Sequence, residues 1–173
     1  MARIASFPPI AAPKAEVLIL GSIPGERSLA ANEYYAHPQN AFWRILGAIL
    51  GFDPKLPYAE RILRLQRARV AVWDVLRSCV RPGSLDAAID RASATPNDFA
   101  AFLARYPRIR RVLCNGGTAH DLFVRRVLPD LPKADRLQVV RLPSTSPAHA
   151  ALSFADKLDA WRLCVRYRVH TTH

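Results

Sequence analysis

The sequence predicts an α/β protein, a three-layer α/β/α sandwich around a central four-stranded parallel sheet. Four short apolar runs carry this reading: EVLIL (16–20), RVAVWDV (69–75), RRVLCNG (110–116) and LQVVRLP (137–143). Each has the length and unbroken hydrophobicity of a strand buried on both faces. Helical patterns lie between them, and strands alternating with helices imply parallel pairing with helices on both sides.

Taken in order, the chain begins with Pro8, Pro9 and Pro13, which suit an extended arm over residues 1–14. After the first strand, Phe42, Ile45, Leu46, Ile49 and Leu50 recur at helical spacing, and Tyr58, Ile62 and Leu65 make a second stripe. Thr95-Pro96-Asn97-Asp98 reads as an N-cap with proline at the first helical position, ahead of Phe99, Phe102 and Leu103. Thr118 and Asp121 suit the start of a helix reaching Val127. Ser153 and Asp156 suit a final one carrying Leu158, Trp161 and Val165. There is no repeat or linker, so residues 1–173 are expected to form one domain.

The net charge of +11 points to a polyanionic partner, nucleic acid being the commonest. An arginine-rich coding bias is the competing explanation, since only Lys14, Lys55, Lys133 and Lys157 are lysines. Cys79, Cys114 and Cys164 are scattered and form no C-x-x-C pair, which argues for free thiols and against a zinc site or iron–sulfur cluster. No metal or cofactor is expected. No apolar run approaches the ~20 residues that cross a bilayer. The first residues lack the pattern of a signal peptide, so a cytoplasmic monomer, without membrane contact, is expected.

Ligands of doubly covered parallel sheets bind beyond the carboxyl ends of the strands. Here those ends run into Gly21-Ser22-Ile23-Pro24-Gly25, Asp74, Asn115-Gly116-Gly117 and Pro143-Ser144-Thr145-Ser146-Pro147. The loop YYAHPQNAFW (34–43) joins the same rim with four aromatic rings, more ring surface than a connecting loop needs. The segments GSIPGERSL, YYAHPQNAFW and LPSTSPAHA resemble the uracil-DNA glycosylase superfamily, and most closely its hypoxanthine-DNA glycosylase branch. VWDVL and NGGTAHDLF fit the same order, so the resemblance spans about residues 16–165. It implies a compact α/β/α domain, a DNA partner and an enzyme of base excision repair, working at the nucleoid. Such an enzyme unstacks a deaminated base, at a cost of a few kcal/mol, and receives it in a pocket. It then hydrolyses the bond to deoxyribose through an oxocarbenium-like state.

The resemblance assigns roles that the residue chemistry can be weighed against. Tyr35 corresponds to the aromatic that stacks on the flipped base, a contact worth ~1–3 kcal/mol; otherwise it is a half-buried loop tyrosine. Asn40 corresponds to a residue important for catalysis, its amide oxygen orienting the attacking water. It is equally a good helix N-cap before Phe42. Relatives place a water-orienting Asn where Ile23 stands, so Asn40 is expected to take over that task. Ser22 is a small polar neighbour for water or phosphate, and the backbone of Ile23 and Gly25 offers amides to the base. Asp74 lies where other members read the base, or it anchors the turn into Leu76. Asn115 is expected at the base; with Gly116 and Gly117 it could bring backbone amides to phosphate, or it simply joins strand to helix. His37, Ser144, Thr145, Ser146, His149 and Arg77 are expected at the DNA, with Arg81 and Arg141 as further phosphate contacts. Leu142 stands where some relatives carry a leaving-group histidine, so that form of assistance is not expected.

The four lysines lie outside the rim motifs, which argues against Schiff-base chemistry and for hydrolysis leaving an abasic site. A G-x-S-x-G elbow and phosphate-loop or dinucleotide fingerprints are absent. The expected activity is removal of hypoxanthine, with uracil or xanthine as further bases. The alternatives are a uracil-preferring enzyme and a lesion-binding protein without chemistry.

Overall fold

A computed structural model describes residues 2–166. Met1 and residues 167–173, the outermost parts of the expected domain, lie outside the described residues. The central sheet is formed by β2 (Val17–Gly21), β3 (Val70–Asp74), β6 (Arg111–Asn115) and β7 (Gln138–Leu142), in the order β3-β2-β6-β7. All three pairings are parallel, with Gly21 opposite Asp74 and Asn115 opposite Leu142. Each expected strand thus forms within a residue or two of its apolar run, because continuous hydrophobicity is stable only where both faces are covered.

Side-chain alternation divides the core in two. Val17, Ile19, Val70, Val72 and Leu113 face α2 (Phe42–Leu50), α3 (Tyr58–Arg67) and α6 (Phe154–Val165). Leu18, Leu20, Ala71, Trp73, Val112 and Cys114 face α4 (Phe99–Arg105) and α5 (Gly117–Arg126). Cys79 and Cys114 are buried free thiols, and burial pushes Cys114 up to about 12.

A second, three-stranded antiparallel sheet departs from expectation. The chain leaves β3 at Asp74, turns at Val75 and continues as β4 (Leu76–Val80), which pairs with β5 (Asp90–Pro96) and with β1 (Arg3–Ala5). The amino-terminal arm is therefore an edge strand, and Ile10 makes a further bridge to Val72. A short helix, α1 (Glu26–Ala31), also follows the glycine-proline bend. It is too short for a periodic signal.

Two expected caps are corrected. Pro96 closes β5 and does not open a helix; Asp98 caps α4, its carboxylate accepting from the Ala101 amide at 3.1 Å. Gly116 precedes α5 without a side-chain cap, so Thr118 and Asp121 lie inside that helix. Ser153 caps α6 as expected, accepting from the Asp156 amide at 3.1 Å. Trp161 is fully buried on that helix and donates to the Pro143 carbonyl at 2.9 Å, which ties α6 to the last rim loop. Ser153→Ala is expected to lose ~1 kcal/mol and roughly 2–4 °C in melting temperature. A thermal melt unchanged within error would show that this cap contributes nothing.

Candidate active site

The carboxyl ends of the four parallel strands open into one cavity of about 290 Å³. Its wall includes residues 21–28, Tyr34, Tyr35, His37, Asn40, Asp74, Asn115 and residues 144–148. The tyrosine-asparagine loop and the glycine-proline bend therefore border the same space.

Hydrogen bonds fix the loop that carries Tyr35 and Asn40. The Ala36 amide donates to Ser28 Oγ at 3.1 Å, and the Ala41 amide donates to the Thr145 carbonyl at 3.0 Å. Tyr34 is packed inside: its hydroxyl donates to the Pro8 carbonyl, and its own carbonyl accepts from Trp43 Nε1. Tyr35 turns the other way. It holds φ +56°, an uncommon conformation for a bulky residue and one found at sites where the surroundings enforce it. Its ring lies on Phe42 at 4.0 Å between centroids and 20° between planes, and it is partly exposed at the cavity wall. Such a ring is pre-positioned, with its outward surface available to a flat ligand.

The expected helix cap at Asn40 is corrected: Ala41 is the N-cap of α2 and no side chain caps it, so Asn40 instead closes a turn one residue earlier. Its Oδ1 accepts from the Phe42 amide at 2.9 Å, which steers the chain into α2, and the residue borders the cavity. An amide oxygen has a second lone pair, so this bond leaves one acceptor site. His37 braces the loop, with Nδ1 accepting from the Gln39 amide and its carbonyl accepting from the Asn40 amide.

The floor is acidic. Asp74 is 3% exposed, and its Oδ2 has no hydrogen-bond partner among the described residues. Gly21 is needed opposite it: a Cβ there would lie 2.6 Å from Asp74 Oδ1 and 2.9 Å from the Tyr35 hydroxyl. Burial, reinforced by the nearby Asp86 carboxylate and opposed by Arg81, pushes the Asp74 carboxyl up to about 7. The Tyr35 hydroxyl, also without a partner among the described residues, is held protonated chiefly by burial and then by the Asp74 charge.

Asp86 was not singled out from the sequence. It lies in the loop between β4 and β5, where Arg81, Ser84 and Asp86 dock against the glycine-proline bend. Arg81 Nη2 donates to the Pro24 carbonyl at 2.7 Å, and its Nε donates to the Gly83 carbonyl at 2.9 Å. Ser84 Oγ accepts from the Glu26 amide at 2.9 Å. The Ser22 hydroxyl donates to Asp86 Oδ1 at 2.5 Å. Ser84, Leu85 and Asp86 thereby become part of the cavity wall. The Pro82-Gly83-Ser84 turn is the only local signal, and it marks a loop without saying where the loop packs.

Other expected residues divide by exposure. Ile23 and Gly25 border the cavity, Ile23 with its side chain in the core. Asn115 and Thr145 bond each other: Asn115 Nδ2 donates to Thr145 Oγ1 and Asn115 Oδ1 accepts from the Thr145 amide, both at 2.9 Å. Thr145 is 1% exposed, so its expected DNA contact is corrected to a brace between β6 and the last rim loop. Arg81 is 5% exposed and engaged with two carbonyls, which removes it as a phosphate contact. Ser144 and Ser146 border the cavity. His149, Arg77 and Arg141 are exposed outside its wall, Arg141 beside Gly117 at the start of α5.

A parallel sheet with a polar, aromatic-walled cavity at its carboxyl rim is the arrangement of an α/β domain built around a ligand site. The comparisons with known proteins agree. The family model described as the uracil DNA glycosylase superfamily matches residues 8–164, and the chain belongs to that superfamily. A curated relative named hypoxanthine DNA glycosylase from Methanosarcina barkeri (strain Fusaro / DSM 804) is 39% identical over 111 residues, covering 64% of this chain and 69% of the relative. A second of the same name, from Methanosarcina acetivorans, is 31% identical over 139 residues, covering 75% and 87%. The solution NMR structure of a candidate uracil DNA glycosylase from Methanosarcina acetivorans superposes with a TM-score of 0.77 at 26% identity, covering 96% of this chain and all of that one. The chain is a DNA glycosylase with the uracil-DNA-glycosylase-like fold, and its substrate is DNA.

The upward shift of the Asp74 carboxyl has a definite sign in stability. Its neutral form is favoured in the folded state, so that contribution is complete below about pH 4 and is lost as pH rises through about 7. Asp74→Asn cannot ionise. Its melting temperature relative to wild type is expected to climb between pH 5 and pH 8, reaching a gain of roughly 3 °C or more at pH 8. A difference that stays constant with pH would overturn the buried-carboxyl account.

Proposed function

We propose that this glycosylase removes hypoxanthine from DNA by hydrolysis and leaves an abasic site in an uncut strand. The observation that carries the reading is the shared cavity of the Tyr35–Asn40 loop and the Gly21–Gly25 bend, beside relatives named for hypoxanthine. The target base leaves the stack and lies against Tyr35, whose ring is already backed by Phe42. Asp74, neutral for much of the time near pH 7, offers one donor and one acceptor to the N1–H and C6=O edge of hypoxanthine. Asn40 orients the water with the lone pair that its bond to Phe42 leaves open. Ser144 and Ser146 at the wall, and His37, His149 and Arg77 around it, meet the DNA backbone. No lysine borders the cavity, and Lys157 Nζ is bound to the His149 carbonyl at 2.7 Å, which supports hydrolysis over Schiff-base chemistry.

Uracil is the second reading, favoured by the NMR structure's likeness and by the same N–H and C=O edge on that base. Oligonucleotides carrying deoxyinosine, deoxyuridine or deoxyxanthosine separate the readings by the free base released. Hypoxanthine release with strand scission only after alkali is expected; no hypoxanthine release, or a cut without alkali, would overturn the proposal. Asn40→Ala is expected to slow single-turnover excision by about 100-fold or more, with lesion affinity within about threefold of wild type. Asn40→Asp, which keeps an acceptor for the Phe42 amide, controls for the loss of that bond. Wild-type excision by Asn40→Ala would remove Asn40 from the chemistry.

A further inference from the structure

The β4–β5 loop brings a second carboxylate to the cavity that Asp74 also lines, and its hydrogen bond to Ser22 sets a direction. The hydroxyl proton of Ser22 is committed to Asp86 Oδ1 at 2.5 Å, so the lone pairs of Ser22 Oγ are the part left to accept a proton. Ser22 and Asp86 both border the cavity. Asp86 Oδ2 makes no hydrogen bond among the described residues, and the loop is pinned by Arg81 to Pro24 and by Ser84 to Glu26. A carboxylate held this firmly against a serine has the geometry by which a base activates a hydroxyl. Ile23 has no polar atom in its side chain, and an Asn amide oxygen orients water without taking its proton.

We propose that Ser22 and Asp86 form a proton relay that receives the proton of the attacking water. The inference rests on the glycosidic hydrolysis stated above and gives that reaction its proton acceptor. As the water oxygen bonds to C1′ of the deoxyribose, one water proton passes to Ser22 Oγ. The proton of Ser22 passes in turn to Asp86 Oδ1. The C1′–N bond breaks with its electron pair going to the base, which is protonated by solvent. Asp86 then returns its proton to bulk water, restoring the starting state. Ser22 is the group at the reacting water, and Asp86 acts through it.

Asp86 is raised above the ordinary carboxylate range by burial, while the Ser22 bond, Arg81 and Arg91 lower it. Asp74 from β3, Cys79 from β4 and Tyr35 from the aromatic loop are the other titratable groups coupled to it. Glu26 and His37 border the same cavity.

The test is single-turnover excision against pH for wild type, Asp86→Asn, Ser22→Ala and the double variant. It is read on whichever deaminated base the wild-type protein releases, so a wrong base assignment leaves the relay testable. Each single variant is expected to lose about 100-fold in rate, with lesion-DNA affinity within about threefold. The wild-type rate rises with pH as Asp86 ionises, and that limb is absent from both variants. Because the pair acts as a unit, the double variant loses no more than about threefold beyond the slower single. Singles at wild-type rate, an intact pH limb in either variant, or fully multiplicative losses would overturn the relay. Should Asp86→Asn fail to fold by thermal melt, Ser22→Ala decides it alone, since it keeps the carboxylate and removes only the hydroxyl.

Discussion

The close approach of Asp74 to Gly21 is the constraint on which the site depends. The two residues are partners in the last rung of the β2–β3 ladder, and any side chain at Gly21 would collide with both Asp74 and the Tyr35 hydroxyl. Parallel pairing brings the four strand ends to one rim, and the missing Cβ leaves room for a carboxyl and a phenol at its centre. The cavity is therefore a consequence of sheet register combined with one glycine.

Several long-range bonds hold that rim in shape. Asn115 and Thr145 join β6 to the last loop, Thr145 holds the start of α2 through Ala41, and Ser28 holds the aromatic loop through Ala36. Each satisfies a polar group that would otherwise be buried at a cost of about 1–3 kcal/mol. The same bonds fix Tyr35 and Asn40 at the cavity wall. Pre-organisation of this kind lowers the ordering cost of binding.

The acidic floor looks odd in a chain of net charge +11, but the two features act at different distances. Excess arginine favours approach to a polyanion through a field that salt screens over about 8–10 Å. Inside the cavity, Asp74 and Asp86 lie in poorly solvated surroundings, where burial raises both and their proximity raises Asp74 further. Attraction of DNA thus belongs to the surface, and the raised carboxyls belong to the interior.

Hydrophobic pattern alone determined the four central strands, because a strand covered on both faces must be apolar along its whole length. It likewise determined α2 and α6, whose buried stripes and, for α6, Ser153 cap are local in sequence. The rim motifs were legible for the same reason, being contiguous and close to strand ends. Only the tertiary structure decided the antiparallel sheet, the docking of the β4–β5 loop and the arrival of Asp86 beside Ser22. Those pairings join residues as far apart as Arg3 and Val80, or Ser22 and Asp86, through polar and edge-strand contacts that leave no periodic trace. The same limit explains Thr145 and Arg81, whose polar side chains read as surface groups until long-range packing buried them.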